Sequence, residues 1–244
     1  MIDRTATMSA AGEKGKKRKW LPLESDPAVF NKFASSLGCT SANFCDVFGL
    51  EPDLLAFVPR PVVAVILLFP IEGERKRKGS GDAADAAGTD ESSDVFYVKQ
   101  KIGNACGTIA LIHAIANNQE SLSLEEGSFF ADFVDRCRSL SPDERADYLD
   151  EKAEAGLEVA HNSAAGELRE ERAEQDMNTN LHFVCYVERS GHLWELDGRN
   201  PSGPAKVADG CTKDNLLEKS AEAIQKRMRE SSSIQFNIMA CALN

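Results

Sequence analysis

The sequence has no CxxC pair and no group of cysteines and histidines at zinc-ligand spacing, and it contains only four histidines. A structural zinc site and a thioredoxin-like redox motif are therefore excluded, and neither a metal nor a cofactor is expected. No apolar run approaches the roughly eighteen residues that a membrane-spanning helix needs. The longest, VVAVILLF at 62–69, has the length of a strand. The first twenty residues carry charge but no apolar core, so no secretory leader is read there. The seven cysteines (39, 45, 106, 137, 185, 211 and 241) are odd in number and scattered. With no export signal they read as reduced thiols rather than a disulfide framework. Positive charge is in deficit: 28 Lys and Arg face 39 Asp and Glu, a net charge of −11. That is a poor match to a nucleic acid, which needs a basic surface. An acidic surface suits a basic partner, or solvation alone.

What is present is an ordinary globular composition, 42% apolar and 27% charged. Residues 1–19 read as a flexible tail whose GKKRK at 15–19 has the form of a nuclear import patch. A cytoplasmic protein with some nuclear share is the corresponding expectation. From 20 to 244 the apolar elements never separate into two sets, which predicts a single domain. DPAVFNKFASSLG predicts a helix capped by Asp26 or Ser25 with Pro27 at its first position, ended by Gly38. A short helix is expected near 52–57, and PRPVVAVILLFP reads as a buried strand fenced by prolines. Residues 71–94 are rich in charge, Gly, Ala and Ser and read as a mobile insertion. Two capping boxes, Ser123 with Glu126 and Ser141 with Glu144, predict two helix starts. Residues 157–179 lose apolar periodicity and read as a long polar connection. LHFVCYVE and HLWELDG, separated by RSG, predict a hairpin. A helix over about 212–230 and a final strand, IQFNIMACAL, complete the chain.

The chemistry concentrates in QKIGNACGTIALIHA, residues 100–114. Cys106 stands where an apolar helix begins. Unpaired N–H groups and the positive end of the helix dipole there favour a thiolate. A small core residue is the alternative reading of Cys106, and for the other six cysteines it is the preferred one. Gln100 could supply an N–H which, with the Cys106 amide, would hold an oxyanion.

A thiol nucleophile needs an imidazole held by a third group. His113 lies seven residues along the same helix, about 10 Å away by helical rise, and is too distant. His161 falls in the polar connection and His192 beside the hairpin turn, where exposure is expected. His182 opens a strand. A hairpin centred on Arg189–Ser190 places it directly opposite Asp197, which would orient the ring. The candidate site is then Cys106 as nucleophile, His182 as base, Asp197 as its orienting acid and Gln100 as oxyanion donor.

QKIGNACGTIALIHAIANN, LHFVCYVERSGHLWELDGR and the opening WLPLES resemble the ubiquitin C-terminal hydrolase family, the small papain-like deubiquitinases. The resemblance covers essentially residues 20–244. It falls on the same four positions: Cys106, His182, Asp197 and Gln100. It implies an α/β (α+β) papain-like fold with a central, mostly antiparallel sheet flanked by helices and a knotted backbone. It identifies 157–179 as a crossover loop over the active site, which would admit only a thin chain with a small leaving group. It implies ubiquitin, and more weakly Nedd8, as partner, with no nucleic acid and no membrane. A monomer is expected. Trp20, Pro22, Leu23 and Phe236 would grip ubiquitin, and Asp46 would meet its basic tail. A protein that sequesters monoubiquitin with little turnover is the alternative function.

Overall fold

In the computed structural model the described residues are 19–71, 94–152, 157–166, 179–231 and 233–243. Almost all of the predicted tail and of the 71–94 insertion, and residues 167–178 of the expected crossover loop, lie outside them.

Among these residues six strands form one sheet: β1 (Ala42–Asp46), β2 (Val62–Pro70), β3 (Leu181–Arg189), β4 (His192–Leu196), β5 (Ala205–Asp209) and β6 (Asn237–Leu243). Their spatial order is β1-β6-β2-β3-β4-β5. Every neighbouring pair is antiparallel. Seven helices among the described residues accompany them: α1 (Pro27–Ser36), α2 (Pro52–Leu55), α3 (Cys106–Ala116), α4 (Phe129–Cys137), α5 (Pro142–Lys152), α6 (Glu158–Gly166) and α7 (Leu216–Glu230). Antiparallel strands often alternate apolar and polar residues, but β2 and β3 are buried on both faces, so they read as continuous apolar runs. Phe183, Cys185 and Val187 enter the cluster formed with α1, α3, α4 and α6. Val184 and Tyr186 enter the cluster on the other face, formed with α7. The expected antiparallel sheet flanked by helices is what the chain adopts. No helix among the described residues is long and apolar enough to cross a membrane.

Helix α3 begins at Cys106, as its sequence predicts, and all eleven of its residues are buried. A helix apolar on every side must lie in the interior. Asp26 caps α1, its side chain accepting from Ala28 N–H at 2.7 Å, and Pro27 opens the helix. The Ser141–Glu144 capping box is formed: Glu144 Oε2 accepts from the Ser141 N–H at 2.8 Å.

Several expectations are corrected. The Ser123–Glu126 box does not start a helix. Gly127 has φ +70°, which a right-handed helix cannot contain, and α4 begins after it with Ser128 as cap. The predicted polar connection contains α6, whose inner face is His161, Ala164 and Ala165. Small residues carry too little hydrophobicity to show as a periodic signal. The edge strands β1 and β5, five residues each, were not anticipated from the pattern at all.

Candidate active site

The hairpin that carries two of the candidate residues differs from its predicted register. Cys185 faces Leu196 and Arg189 faces His192, so the turn is Ser190–Gly191. Both residues have positive φ, +53° and +81°, as a two-residue turn matching the twist of its strands requires. The register is displaced by two residues. Continued beyond the ladder, it sets Val184, not His182, across from Asp197. A shift of two keeps every side chain on its own face, whereas a shift of one would not. His182 and Asp197 therefore remain diagonal neighbours within side-chain reach.

They meet. His182 Nε2 lies 2.6 Å from Asp197 Oδ1. The same carboxylate oxygen accepts from the Arg199 N–H at 2.8 Å. An aspartate that accepts a backbone hydrogen bond cannot swing freely, so it fixes the ring in turn. Tyr97 Oη donates to the Asp197 carbonyl at 2.5 Å and lies 3.0 Å from that of Asn200, anchoring the turn itself. The Phe69 ring stands edge-on to the imidazole, with centroids 5.8 Å apart.

With Nε2 engaged by Asp197, the other ring nitrogen is left for Cys106. His182 Nδ1 is buried and closes no regular hydrogen bond, yet the thiol and the ring act strongly on one another. Burial opposes the thiolate of Cys106, but the His182 ring, by hydrogen bonding and by charge, outweighs it and the thiol pKa is lowered. Burial likewise opposes a charged His182. Asp197 and Cys106 overcome it and raise the ring to about 9. Asp197 is held below its ordinary value, burial being outweighed by the bond to His182. The opposed shifts of the thiol and the ring move the pair toward thiolate and imidazolium beside a carboxylate. The other cysteines with a resolved shift all move up, through burial. Cys106 alone moves down.

Gln100 lies on the segment leading into α3. Its backbone N–H donates to Gly198 O at 2.8 Å, tying this segment to the residue after Asp197. A Cβ on Gly198 would meet Ile109 Cγ2 at 2.8 Å and Gln100 N at 3.3 Å, so only glycine allows this approach. The Gln100 side chain donates one N–H to Ile102 O at 3.0 Å, which orients the amide and leaves its second N–H to spare.

The remaining histidines are placed more firmly than the sequence indicates. His113 is buried, and its Nε2 accepts from Val98 N–H at 2.9 Å. His192 is half-buried, with Nδ1 2.8 Å from Asp209. His161, expected in a loose connection, is fully buried in α6.

The residues assigned to gripping a partner divide into two groups. Trp20, Pro22 and Leu23 are buried, Trp20 at 1% exposure and Leu23 at 5%. Two of these side chains serve the core: Trp20 packs on His161, with centroids 4.5 Å apart, and Leu23 covers Gly107. Side chains buried in this way present little surface to a partner. Asp46 and Phe236 instead line a surface cleft of about 770 Å³ between the β1 and β6 ends and α7. The pattern of the sequence missed Phe48, which lines the same cleft and is 85% exposed; Ile234, two residues before Phe236, is 95% exposed. Large exposed apolar groups of this kind mark interaction surfaces. No group of residues able to hold a metal ion occurs among the described residues.

A profile of ubiquitin carboxyl-terminal hydrolase, family 1, matches residues 20–229. The chain belongs to that family. It is a thiol hydrolase. A ubiquitin carboxyl-terminal hydrolase of Aplysia californica is 40% identical over 220 residues, covering 89% of this chain and 99% of its own. The human ubiquitin carboxyl-terminal hydrolase isozyme L1 is 37% identical over 222 residues, covering 90% and 96%. Among solved structures, the catalytic domain of Trichinella spiralis UCH37 bound to ubiquitin vinyl methyl ester superposes with a TM-score of 0.72. It is 25% identical and covers 95% of this chain and 97% of that one.

Proposed function

We propose that this ubiquitin C-terminal hydrolase is a deubiquitinase that removes small adducts or short peptides from the C-terminal glycine of ubiquitin, acting as a monomer. Cys106 Sγ attacks the carbonyl carbon of that glycine. Its oxygen becomes an oxyanion, held by the Cys106 amide and the spare N–H of Gln100. As the carbon–nitrogen or carbon–sulfur bond breaks, His182 gives its proton to the leaving amine or thiol. The neutral ring then takes a proton from water, whose oxygen displaces Sγ from the thioester. Ubiquitin leaves with a free carboxylate and the thiolate is restored. Asp197 keeps the ring aimed and steadies its charge. Nedd8 is a second, weaker substrate.

The observation that carries this reading is the 2.6 Å His182–Asp197 contact together with the opposed shifts of His182 and Cys106. A thiol with ordinary core packing would be pushed up, as its six counterparts are. Substrate identity rests on the relatives: they are ubiquitin hydrolases by name, and the solved neighbour holds a ubiquitin derivative. The cleft lined by Asp46, Phe48 and Phe236 offers an apolar floor and a carboxylate to the body and basic tail of ubiquitin.

Hydrolysis of a ubiquitin C-terminal fluorogenic amide by wild type and Cys106→Ala, with ubiquitin affinity measured for both, tests the proposal. Turnover lost in the variant with binding kept is the expected result. Tight binding without wild-type turnover would favour a sequestering protein, and absence of binding would remove ubiquitin as the substrate.

A further inference from the structure

His161 is a fully buried histidine that the proposed chemistry does not use. Burying an imidazole costs more than burying a leucine unless both ring nitrogens find partners. Both do. Nε2 lies 2.6 Å from Leu21 O and Nδ1 lies 2.6 Å from Thr108 Oγ1. A carbonyl can only accept, so Nε2 carries the proton. Burial lowers the ring pKa to about 4, so the ring is neutral and Nδ1 accepts from the Thr108 hydroxyl. One side chain of α6 thus joins three segments: α6 itself, the arm at 19–23 and the first turn of α3.

Both partners bear on the nucleophile. Thr108 is two residues beyond Cys106. The arm around Leu21 grips the residues just before it: Trp20 N–H donates to Gly103 O at 2.9 Å, and Trp20 O accepts from Asn104 Nδ2 at 3.0 Å. Asn104 has φ +60°, a conformation that a non-glycine residue keeps only when its surroundings hold it. Leu23 lies against Gly107, where a Cβ would come within 2.9 Å of Leu23 Cδ1. Residues 103, 104, 107 and 108 are therefore all touched by the arm or by His161, and Cys106 lies between them. The Trp20 and Phe33 rings enclose the imidazole at 4.5 and 5.9 Å, which leaves it no other place to turn.

We propose that His161 is a positioning residue for the reaction: it clamps the 19–23 arm and α6 onto the loop and first turn that carry Cys106, and so sets the thiol and its amide. The proposal rests on Cys106 being the nucleophile. It gives the WLPL segment a task inside the enzyme.

The test uses the full chain and the variants His161→Phe, His161→Gln and Thr108→Val. Phenylalanine keeps the ring packing and removes both hydrogen bonds. Glutamine keeps a donor for Leu21 O. Three quantities are read: the iodoacetamide alkylation rate of Cys106 against pH, kcat and KM on the ubiquitin amide, and ubiquitin affinity in a Cys106→Ala background. The expected result for His161→Phe is a folded protein whose kcat falls about tenfold or more. Its alkylation profile should shift, and its ubiquitin affinity should stay within about twofold. His161→Gln should recover most of the loss. A folded His161→Phe with wild-type alkylation and kcat would overturn the proposal, as would a loss confined to ubiquitin affinity. If His161→Phe does not fold, Thr108→Val decides, since it removes one bond and keeps the shape: an unchanged kcat and alkylation profile overturns the clamp. Failure of the catalytic reading is separately visible, as turnover surviving Cys106→Ala, and the alkylation rate still reports the placement of the thiol.

Discussion

At the scale of single residues, the site is an exchange of charge between two buried groups, Cys106 and His182, and the half-buried Asp197, and its pH dependence follows from the direction of each shift. His182 is raised to about 9 from an ordinary 6.5. The stabilisation it contributes by holding a proton is complete below the ordinary value and is lost as pH rises through about 9. The rate kcat/KM should therefore hold through neutral pH and fall on the alkaline side near 9, where the ring can no longer protonate the leaving group. Asp197→Asn removes both the hydrogen bond and the charge that raise the ring. Its alkaline limb should move toward neutral pH, and kcat should fall by roughly 10²-fold or more. A pH–rate profile of both proteins checks this, and an unmoved limb would separate Asp197 from the ring's charge. The candidate residues themselves were legible because each type carries its chemistry with it: a cysteine at a helix start, a histidine opening a strand, an aspartate ending the next. The burial of His161 was not legible, since its partners are a carbonyl 140 positions away and a hydroxyl 53 positions away.

At the scale of elements, α3 and the β3–β4 hairpin must be brought close and held. Gly198 is a point of close approach between the turn bearing Asp197 and the segment bearing Gln100. Gly198→Ala should push the two apart and lower kcat by about tenfold while ubiquitin affinity stays within about twofold. Steady-state kinetics beside a binding titration measures the split. Ser128 Oγ accepts from Ala131 N–H at 3.3 Å as the cap of α4, so Ser128→Ala should cost about 1 kcal/mol in a denaturant titration, without changing the alkylation rate of Cys106. The long apolar elements α3, β2 and β3 were legible because burial on every side leaves an uninterrupted apolar run. The true start of α4 was not, because two serines compete for the cap and only the positive φ of Gly127 excludes the earlier one. The hairpin turn was misplaced by one position for a similar reason: RSG offers two turn centres, and the twist of the strands selects the one with Gly191 inside it.

At the scale of the whole molecule, the proposed catalytic groups and the cleft lined by Asp46, Phe48 and Phe236 rest on different strands of the sheet and should separate in experiment. Phe48→Ala with Phe236→Ala is expected to weaken ubiquitin binding by about tenfold or more. Alkylation of Cys106 by a small reagent should be unaffected. Calorimetry and alkylation kinetics on the same preparation test this, and unchanged affinity would move the docking surface elsewhere. The sequence by itself determined which residues could do the chemistry and which segments had to be buried, because residue type and apolar periodicity are local properties. Only the tertiary structure decided the strand order β1-β6-β2-β3-β4-β5 and the two-residue displacement of the hairpin. It also decided the burial of Trp20 and Leu23, and the meeting of α6, the arm and α3 at His161. Each of these depends on segments far apart in the chain competing for the same interior space, and that competition is settled by packing rather than by local sequence.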